Sequence, residues 1–355
     1  MRPECVRPAQ DSRDEPGGGP PTAPRLTPPA PPSTVTRVAS EPDETRDGVG
    51  LTHLDQALLA DDTVTKRQLV DHLDAVAERM LPLLTNRPLS VIRARGDQRF
   101  MQKNLPKGAP DWIRSVTFWS DSSQRDVHYA LAEDRATLLW FANQRAIEYH
   151  VPLTTADEPG TPTHLVIDLD PPEGADLAPV VTAARAVRRV LQDAGFEPAV
   201  KTSGAKGLHV VTPIRPAAME DVHAATRAVA ARAEQLEPAT TTTAFIRADR
   251  GGKVFLDATR AGGATVVAAY SPRVRPGLPV SCPVDWDDLD EVVPREITVS
   301  TPERYLEGPT WTERLGDARP IPQDLVDEGH TIPVARVAAM HEGKRRKRAA
   351  ERGDG

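Results

Sequence analysis

Cysteine is almost absent from this chain: Cys5 and Cys282 are the only two among 355 residues. Two thiolates cannot make a four-ligand thiolate metal site. No run of about 18 apolar residues occurs, so no membrane span is expected. The N-terminal residues lack the apolar core of a secretory signal. A reducing cytoplasm is the expected setting. No internal repeat is found. An excess of positive charge is missing too. The formal net charge is −7, which argues against an indiscriminate nucleic-acid coat. A local basic groove stays open, because the groove and not the total sets phosphate contacts.

What is present is the composition of a folded protein, 39% hydrophobic and 27% charged, long enough for one large domain or two modest ones. The 35 prolines are unevenly spread, with eleven in residues 1–50. That stretch has no apolar period and reads as a disordered tail. Order is expected from about Leu51. At the other end, the basic cluster Lys344–Arg348 reads as a solvated tail rather than a DNA grip. The expected division is a tail over 1–50, a catalytic domain over 51–310 with modules 51–160 and 161–310, and a C-terminal extension over 311–355.

Within the ordered part, "TKRQLVDHLDAVAERMLPLL" puts Leu69, Leu73, Val76, Met80 and Leu84 at helical spacing behind Thr65 as N-cap. "RPLSVIRAR" reads as a strand, "SVTFWS" and "VHYALA" as a β pair, "RATLLWFANQRAI" as a helix and "EYHVPL" as a strand. Next comes a βαββαββ order: "HLVIDLD", a helix ended by Gly195, "PAVKTSG", "GLHVVTPI", a helix over "DVHAATRAVAARAEQL", "KVFLDAT" and "ATVVAAYSPR". "DWDDLDEVV" and "ERYLEG" read as short closing helices. The order predicts an α+β fold with a mostly antiparallel central sheet, flanking helices and an active-site cleft.

Two stretches carry chemistry. In "HLVIDLDPPEG", strand alternation sends Asp168 and Asp170 to one face, roughly 6.5–7 Å apart along the strand, and Ile167 and Leu169 to the other. Pro171 and Pro172 end the strand. Two like charges that close need a positive partner, and an oxygen-rich site of this kind selects Mg²⁺ or Mn²⁺. Two solvated aspartates at a strand end are the plainer alternative. "KVFLDATR" repeats the design, with Val254 and Leu256 on one face and Phe255 and Asp257 on the other. A third carboxylate there suffices for two metal ions about 3.5–4 Å apart, the arrangement for in-line phosphoryl transfer; taken alone, Asp257 fits a turn equally well. "KTSGAKGLHVV" is no Walker A motif. Gly204 and Gly207 are expected to let the backbone approach a ligand, Ser203 and Lys206 supply a hydroxyl and a charge, and His209 faces opposite to Leu208 and Val210.

Together these stretches resemble a known family. "LVIDLDPPEG", "VKTSGAKGLHVVTPI", "KVFLD" and "AYSPRVRPGLPVSCPVDWDDL", in this order, are similar to the polymerase domain of bacterial DNA ligase D, in the archaeo-eukaryotic primase superfamily. "FMQKNLPKGAPDWI" and "AIEYHVP" agree. The resemblance covers about residues 51–310. It implies a primase-polymerase fold and a two-metal nucleotidyltransferase that fills short gaps and extends DNA ends, preferring ribonucleotides and Mn²⁺. By the matching positions, Asp168, Asp170 and Asp257 are implied as metal ligands and catalytic residues. His150, Ser203, Lys206, His209 and Arg273 are implied as contacts to the nucleoside triphosphate, and Lys66 to the 5′-phosphate at a gap. DNA ends or gapped duplex are the implied partners, with Ku and a separate ATP-dependent ligase, because the sequence shows no ligase or nuclease region.

The chain departs from the family pattern at Gln56, where a lysine that helps hold the 5′-phosphate is expected. Met101 replaces a template-stacking aromatic, and Ala261 stands in a stretch where asparagine is common. The departures fall on DNA contacts and spare the carboxylates. They motivate an alternative, a catalytically weak module of the same fold that bridges DNA ends. A nucleotide-sugar glycosyltransferase, read from D-x-D alone, leaves "SGAKGLH" and Asp257 unexplained.

Overall fold

Thr65 opens the first long helix of the computed structural model as its sequence predicts. Its hydroxyl accepts the Gln68 N–H, and the Gln68 side chain accepts the Thr65 N–H at 2.9 Å, a reciprocal cap. The structure describes residues 41–60, 63–95, 98–120, 124–260 and 264–334. The proline-rich stretch 1–40, Ala261 and the cluster Lys344–Arg348 lie outside the described residues.

Order starts earlier than Leu51, which corrects the expected boundary. Strands β1 (Glu44–Arg46) and β2 (Val49–Leu51) pair as a hairpin. Asp47 and Gly48 both take positive φ at its turn, the conformation a two-residue hairpin loop needs. The predicted single helix is two, α1 (Lys66–Ala75) and α2 (Ala77–Leu84), with Val76 capping the first and starting the second. Its five predicted apolar positions are all buried. Strand β3 (Ser90–Arg95) runs on to β4 (Gln98–Gln102), which the sequence reading missed because its residues are almost all exposed. Strands β5 (Ser115–Ser120) and β6 (Arg125–Ala130) form the predicted pair. Helix α3 (Arg135–Asn143) is shorter than predicted, because Arg145 turns at φ 61° and Ala146 already belongs to β7 (Ala146–Pro152).

The second half follows the predicted order. It runs β8 (His164–Asp170), α4 (Ala178–Asp193), β9 (Ala199–Thr202), β10 (Leu208–Pro213), α5 (Met219–Leu236), β11 (Thr241–Thr242) and β12 (Val254–Asp257). Then come β13 (Thr265–Val267) and β14 (Pro283–Val284), and the helices α6 (Glu303–Leu306), α7 (Trp311–Arg314) and α8 (Gln323–Thr331). "DWDDLDEVV" is turns, not the expected helix. Its aspartates favour turn and cap conformations over a helix interior, and the backbone closes i→i+3 from Asp288 to Asp285.

A six-stranded sheet runs in the order β11-β12-β8-β10-β9-β14, antiparallel except at the β11–β12 edge. A four-stranded antiparallel sheet runs β13-β7-β3-β4. The fold is thus α+β with mostly antiparallel sheets, as expected. Helices α4 and α5 pack against the larger sheet. The expected boundary at 160 does not divide the sheets, because β13 crosses back to pair with β7. The described residues from Glu41 on belong to one compact unit.

Residues 311–334 are part of that body rather than an appended extension. Helix α8 lies so close to α5 that a Cβ on Gly329 would sit 1.8 Å from the Ala224 carbonyl oxygen. Arg232 on α5 pairs with Asp324 and Glu328 on α8. Among the described residues no helix is long and apolar enough to cross a membrane.

Candidate active site

The register of the larger sheet builds the site. Asp257 on β12 stands opposite Asp168 on β8, Asp168 opposite His209 on β10, and His209 opposite Lys201 on β9. Cross-strand partners share a face, so one row carries four polar side chains on one side of the sheet. Asp170 follows two residues after Asp168 on the same face. Oxygens of Asp168, Asp170 and Asp257 lie within 4.8 Å of one another. Two aspartates from one strand and one from its neighbour therefore converge, as the sequence predicts.

Their neighbours balance the charge. Arg260 donates to Asp168 Oδ2 from Nη2 at 2.6 Å and from Nε at 3.1 Å, and its Nη2 stands 3.3 Å from Asp257 Oδ2. The Thr259 backbone N–H and hydroxyl donate to Asp257 Oδ1 at 2.9 and 2.6 Å. Burial opposes ionisation of Asp168, yet His209 and Arg260 hold its carboxyl well below the usual range. Asp170 shows the opposite: burial and the neighbouring Asp168 charge push it up to about 6. The three crowded carboxylates make an oxygen donor set that fits a hard divalent cation, and Arg260 supplies the positive charge among them in this structure.

The other end of the row holds His209. The Lys201 ammonium donates to Ser281 Oγ at 2.7 Å and faces His209 Nδ1 at 3.0 Å. With Nδ1 accepting, the imidazole hydrogen sits on Nε2, 3.3 Å from Asp168 Oδ1. Burial lowers Lys201 to about 7. Burial and then the Lys201 charge lower His209 to about 4.

A cleft of about 750 Å³ opens over these groups. His150, Ser203, Lys206, His209 and Arg273 all line it, alongside Asp168 and Asp170. His150 Nε2 and Arg273 Nε both meet Glu148 Oε2, at 2.8 and 2.9 Å, and the Val274 N–H binds Glu148 Oε1. Burial works against the Glu148 charge, but His150, Arg273 and Val274 bring its pKa down to about 2. Glu148 thus anchors two cleft-lining side chains, the His150 imidazole and the Arg273 guanidinium. Lys206 is exposed and reaches Glu173 at 3.4 Å. Arg247, Arg250, Arg260 and Arg275 add charge to the walls, and Met101 lines the cleft as well.

The glycines of "SGAKG" meet close neighbours within the chain, and Gly207 also lines the cleft. A Cβ on Gly207 would lie 2.0 Å from the Leu169 carbonyl oxygen. Gly204 takes φ +67°, and a Cβ there would meet Arg273 Cγ at 2.6 Å. Ser203 Oγ accepts the Gly207 N–H at 3.2 Å, so the loop is tied to itself. Lys66 is not among the residues that line the cleft. Its side chain is buried, with Nζ donating to the Thr52 carbonyl at 2.6 Å. Gln56 accepts from Arg145 at 2.9 Å.

Sequence reasoning missed Lys201, Arg260 and Glu148. For Lys201 and Glu148 the signal was strand alternation, since each is two residues from, or cross-strand to, a residue already singled out. Arg260 left no signal beyond following Asp257 by three.

A model of the LigD primase-polymerase domain family matches residues 65–310. The multifunctional non-homologous end joining protein LigD of Mycobacterium bovis is 35% identical over 263 residues, covering 70% of this chain and 34% of that protein. The bifunctional non-homologous end joining protein LigD of Bacillus subtilis is 33% identical over 257 residues, covering 70% of this chain and 41% of that one. The chain therefore spans about a third to two fifths of the length of these curated relatives. Among solved structures, the polymerase domain from Mycobacterium tuberculosis ligase D in complex with DNA superposes with a TM-score of 0.66 at 34% identity. That match covers 72% of this chain and 94% of the other.

Proposed function

The chain belongs to the LigD primase-polymerase family, and we propose that it is a two-metal-dependent nucleotidyltransferase. It adds ribonucleotides or deoxyribonucleotides to DNA 3′ ends or short gaps in non-homologous end joining. The observation that carries this reading is the carboxylate cluster facing a cleft lined by His150, Lys206 and Arg273. Negative groups meet positive ones across a space of about 750 Å³, as a metal-bound triphosphate requires.

In this reading Asp168, Asp170 and Asp257 hold Mn²⁺ or Mg²⁺. Bound metal supplies a lowered pKa at the primer 3′-hydroxyl and charge for the departing pyrophosphate. The chain's own groups do the rest. Lys206, His150 and Arg273 offset triphosphate charge, with Glu148 fixing the last two in place. Ser203 and His209 contact phosphates or sugar. For Lys66, a 5′-phosphate contact requires its Nζ to leave the Thr52 carbonyl. DNA enters past Met101 and the exposed Phe100, which suit base stacking. Ku and an ATP-dependent ligase are the partners this reading implies.

The test is incorporation of labelled nucleotide on a gapped duplex with Mn²⁺ or Mg²⁺, lost in Asp168→Ala. Equal incorporation by wild type and variant would sink the proposal. A second reading, DNA-end bridging with little turnover, is favoured by Arg260 sitting among the carboxylates. It predicts DNA binding that survives loss of all three aspartates and no incorporation with either metal.

A further inference from the structure

We propose that Arg260 is a built-in counter-ion of the carboxylate cluster, and that it must leave Asp168 and Asp257 before a divalent ion is bound, so that it sets the site's metal requirement. The inference rests on the nucleotidyltransferase reading and deepens it.

The oxygens are already shared out. Asp257 Oδ1 is taken by Thr259, and Asp168 Oδ1 faces His209 Nε2. The remaining oxygens, Asp168 Oδ2 and Asp257 Oδ2, are both met by the same Arg260 nitrogen, at 2.6 and 3.3 Å. A metal ion held by these two aspartates would compete with Arg260 for their oxygens. A guanidinium stays protonated at any working pH, so Arg260 cannot give way by losing a proton. It has to swing out.

The structure leaves it room to do so. Its side chain is 30% exposed, against 9% and 10% for Asp168 and Asp257, so it covers them from the solvent side. It also stands three residues past the end of β12 and takes no part in the ladder. Asp170 is paired with Phe255 in the ladder, but its carboxylate accepts no hydrogen bond among the described residues, so one carboxylate stays open for an arriving cation.

Charge counting gives the direction. Three carboxylates and one guanidinium leave the cluster at −2, and removing the guanidinium leaves it at −3. A metal ion that takes Asp168 Oδ2 in wild-type protein must first separate an ion pair held by charge-assisted hydrogen bonds. Replacing Arg260 removes that competition.

The test is Mn²⁺ binding to nucleotide-free protein, read from the electron paramagnetic resonance of unbound Mn²⁺. Arg260→Gln is expected to bind Mn²⁺ at least about tenfold more tightly than wild type, and Arg260→Lys to stay close to wild type; tenfold is the scale of one such interaction. Equal or weaker binding by Arg260→Gln overturns the inference. The wild-type protein supplies a measure that needs no variant. During Mg²⁺ titration the Arg260 Nε–H nuclear magnetic resonance signal should move as the ion pair opens, and a signal fixed through saturation overturns the inference.

Primer extension by wild type is scored separately. Extension with no tightening in Arg260→Gln refutes the role of Arg260 and leaves nucleotidyl transfer standing. Tightening with no extension supports Arg260 and removes the polymerase reading. Absence of Mn²⁺ binding in both proteins overturns both.

Discussion

In the row Asp257, Asp168, His209 and Lys201, every side chain is buried and meets a partner from another strand or loop. Along β4, Phe100 and Met101 are 43% and 49% exposed, and Arg93 beneath the Phe100 ring is the cation near it, at 5.4 Å. The row lies inside a six-stranded sheet with ladders on both sides, whereas β4 is the free edge of the smaller sheet. In the proposed function the contrast separates chemistry from grip. Groups that must be placed to fractions of an ångström are locked by register. Groups that meet a long, variable ligand are left outside, where residue changes such as Met101 disturb little else.

Breaking the row should have the largest effect. Asp168→Ala is expected to cut nucleotide incorporation at least ~1000-fold, about 4 kcal/mol of transition-state stabilisation. Primer extension with Mn²⁺ measures it, with near-ultraviolet circular dichroism to show that the fold is intact. Incorporation above a tenth of wild type would mean that the cluster is not the reaction centre.

The row also depends on backbone fit. Gly207→Ala would force a Cβ against the Leu169 carbonyl oxygen. Because backbone cannot yield as a side-chain tip can, we expect a loss of about 3 kcal/mol in urea unfolding. An unchanged midpoint would show that β8 and the loop can slide apart, contrary to a rigid row.

The interior's tolerance of acid gives the next contrast. His72 is buried, with Nδ1 on the Tyr305 hydroxyl and Nε2 near the Tyr270 carbonyl, and burial lowers its pKa to about 4 from 6.5. Between those values the unfolded chain takes up a proton that the folded chain refuses. This contribution is complete above pH 6.5 and is lost as pH falls toward 4, by up to about 3 kcal/mol. Urea midpoints at pH 7 and pH 4.5 check it, and His72→Gln should flatten that part of the profile. If the variant loses as much on acidification as wild type, His72 is not a source of the effect.

The edge should behave the other way. Phe100→Ala is expected to weaken binding of gapped DNA by about 1–2 kcal/mol, the worth of one stacked base, while stability moves within about 0.5 kcal/mol. Fluorescence anisotropy and thermal melting read the two together. Met101→Phe should tighten DNA binding by a smaller margin. A fall in stability as large as the fall in affinity for Phe100→Ala would erase the distinction between the regions.

Much of the row was legible before any coordinates. Asp168 and Asp170 declared themselves by alternation in a strand whose other residues are apolar, and Asp257 by repeating the pattern. The cap at Thr65 and the β5–β6 pair followed from equally local signals. The errors have physical causes as well. β4 was overlooked because an exposed edge strand lacks the apolar alternation that marks a half-buried one. "DWDDLDEVV" was read as a short closing helix, while its aspartates favoured turns. The packing role of the glycines in the "SGAKG" loop was missed, because no sequence pattern announces a carbonyl oxygen 2.0 Å from an absent Cβ.

The chain alone determined which residues share a strand and which face each takes, because those follow from a two-residue period written along the sequence. Only the tertiary structure decided which strands lie side by side. That decision put Lys201 against His209, Arg260 between Asp168 and Asp257, and Glu148 under both His150 and Arg273. It also drew the Lys66 ammonium into the interior, onto the Thr52 carbonyl. The reason is electrostatic as much as geometric. A buried charge is stable only beside a partner, and for Asp168 that partner lies 92 residues away along the chain.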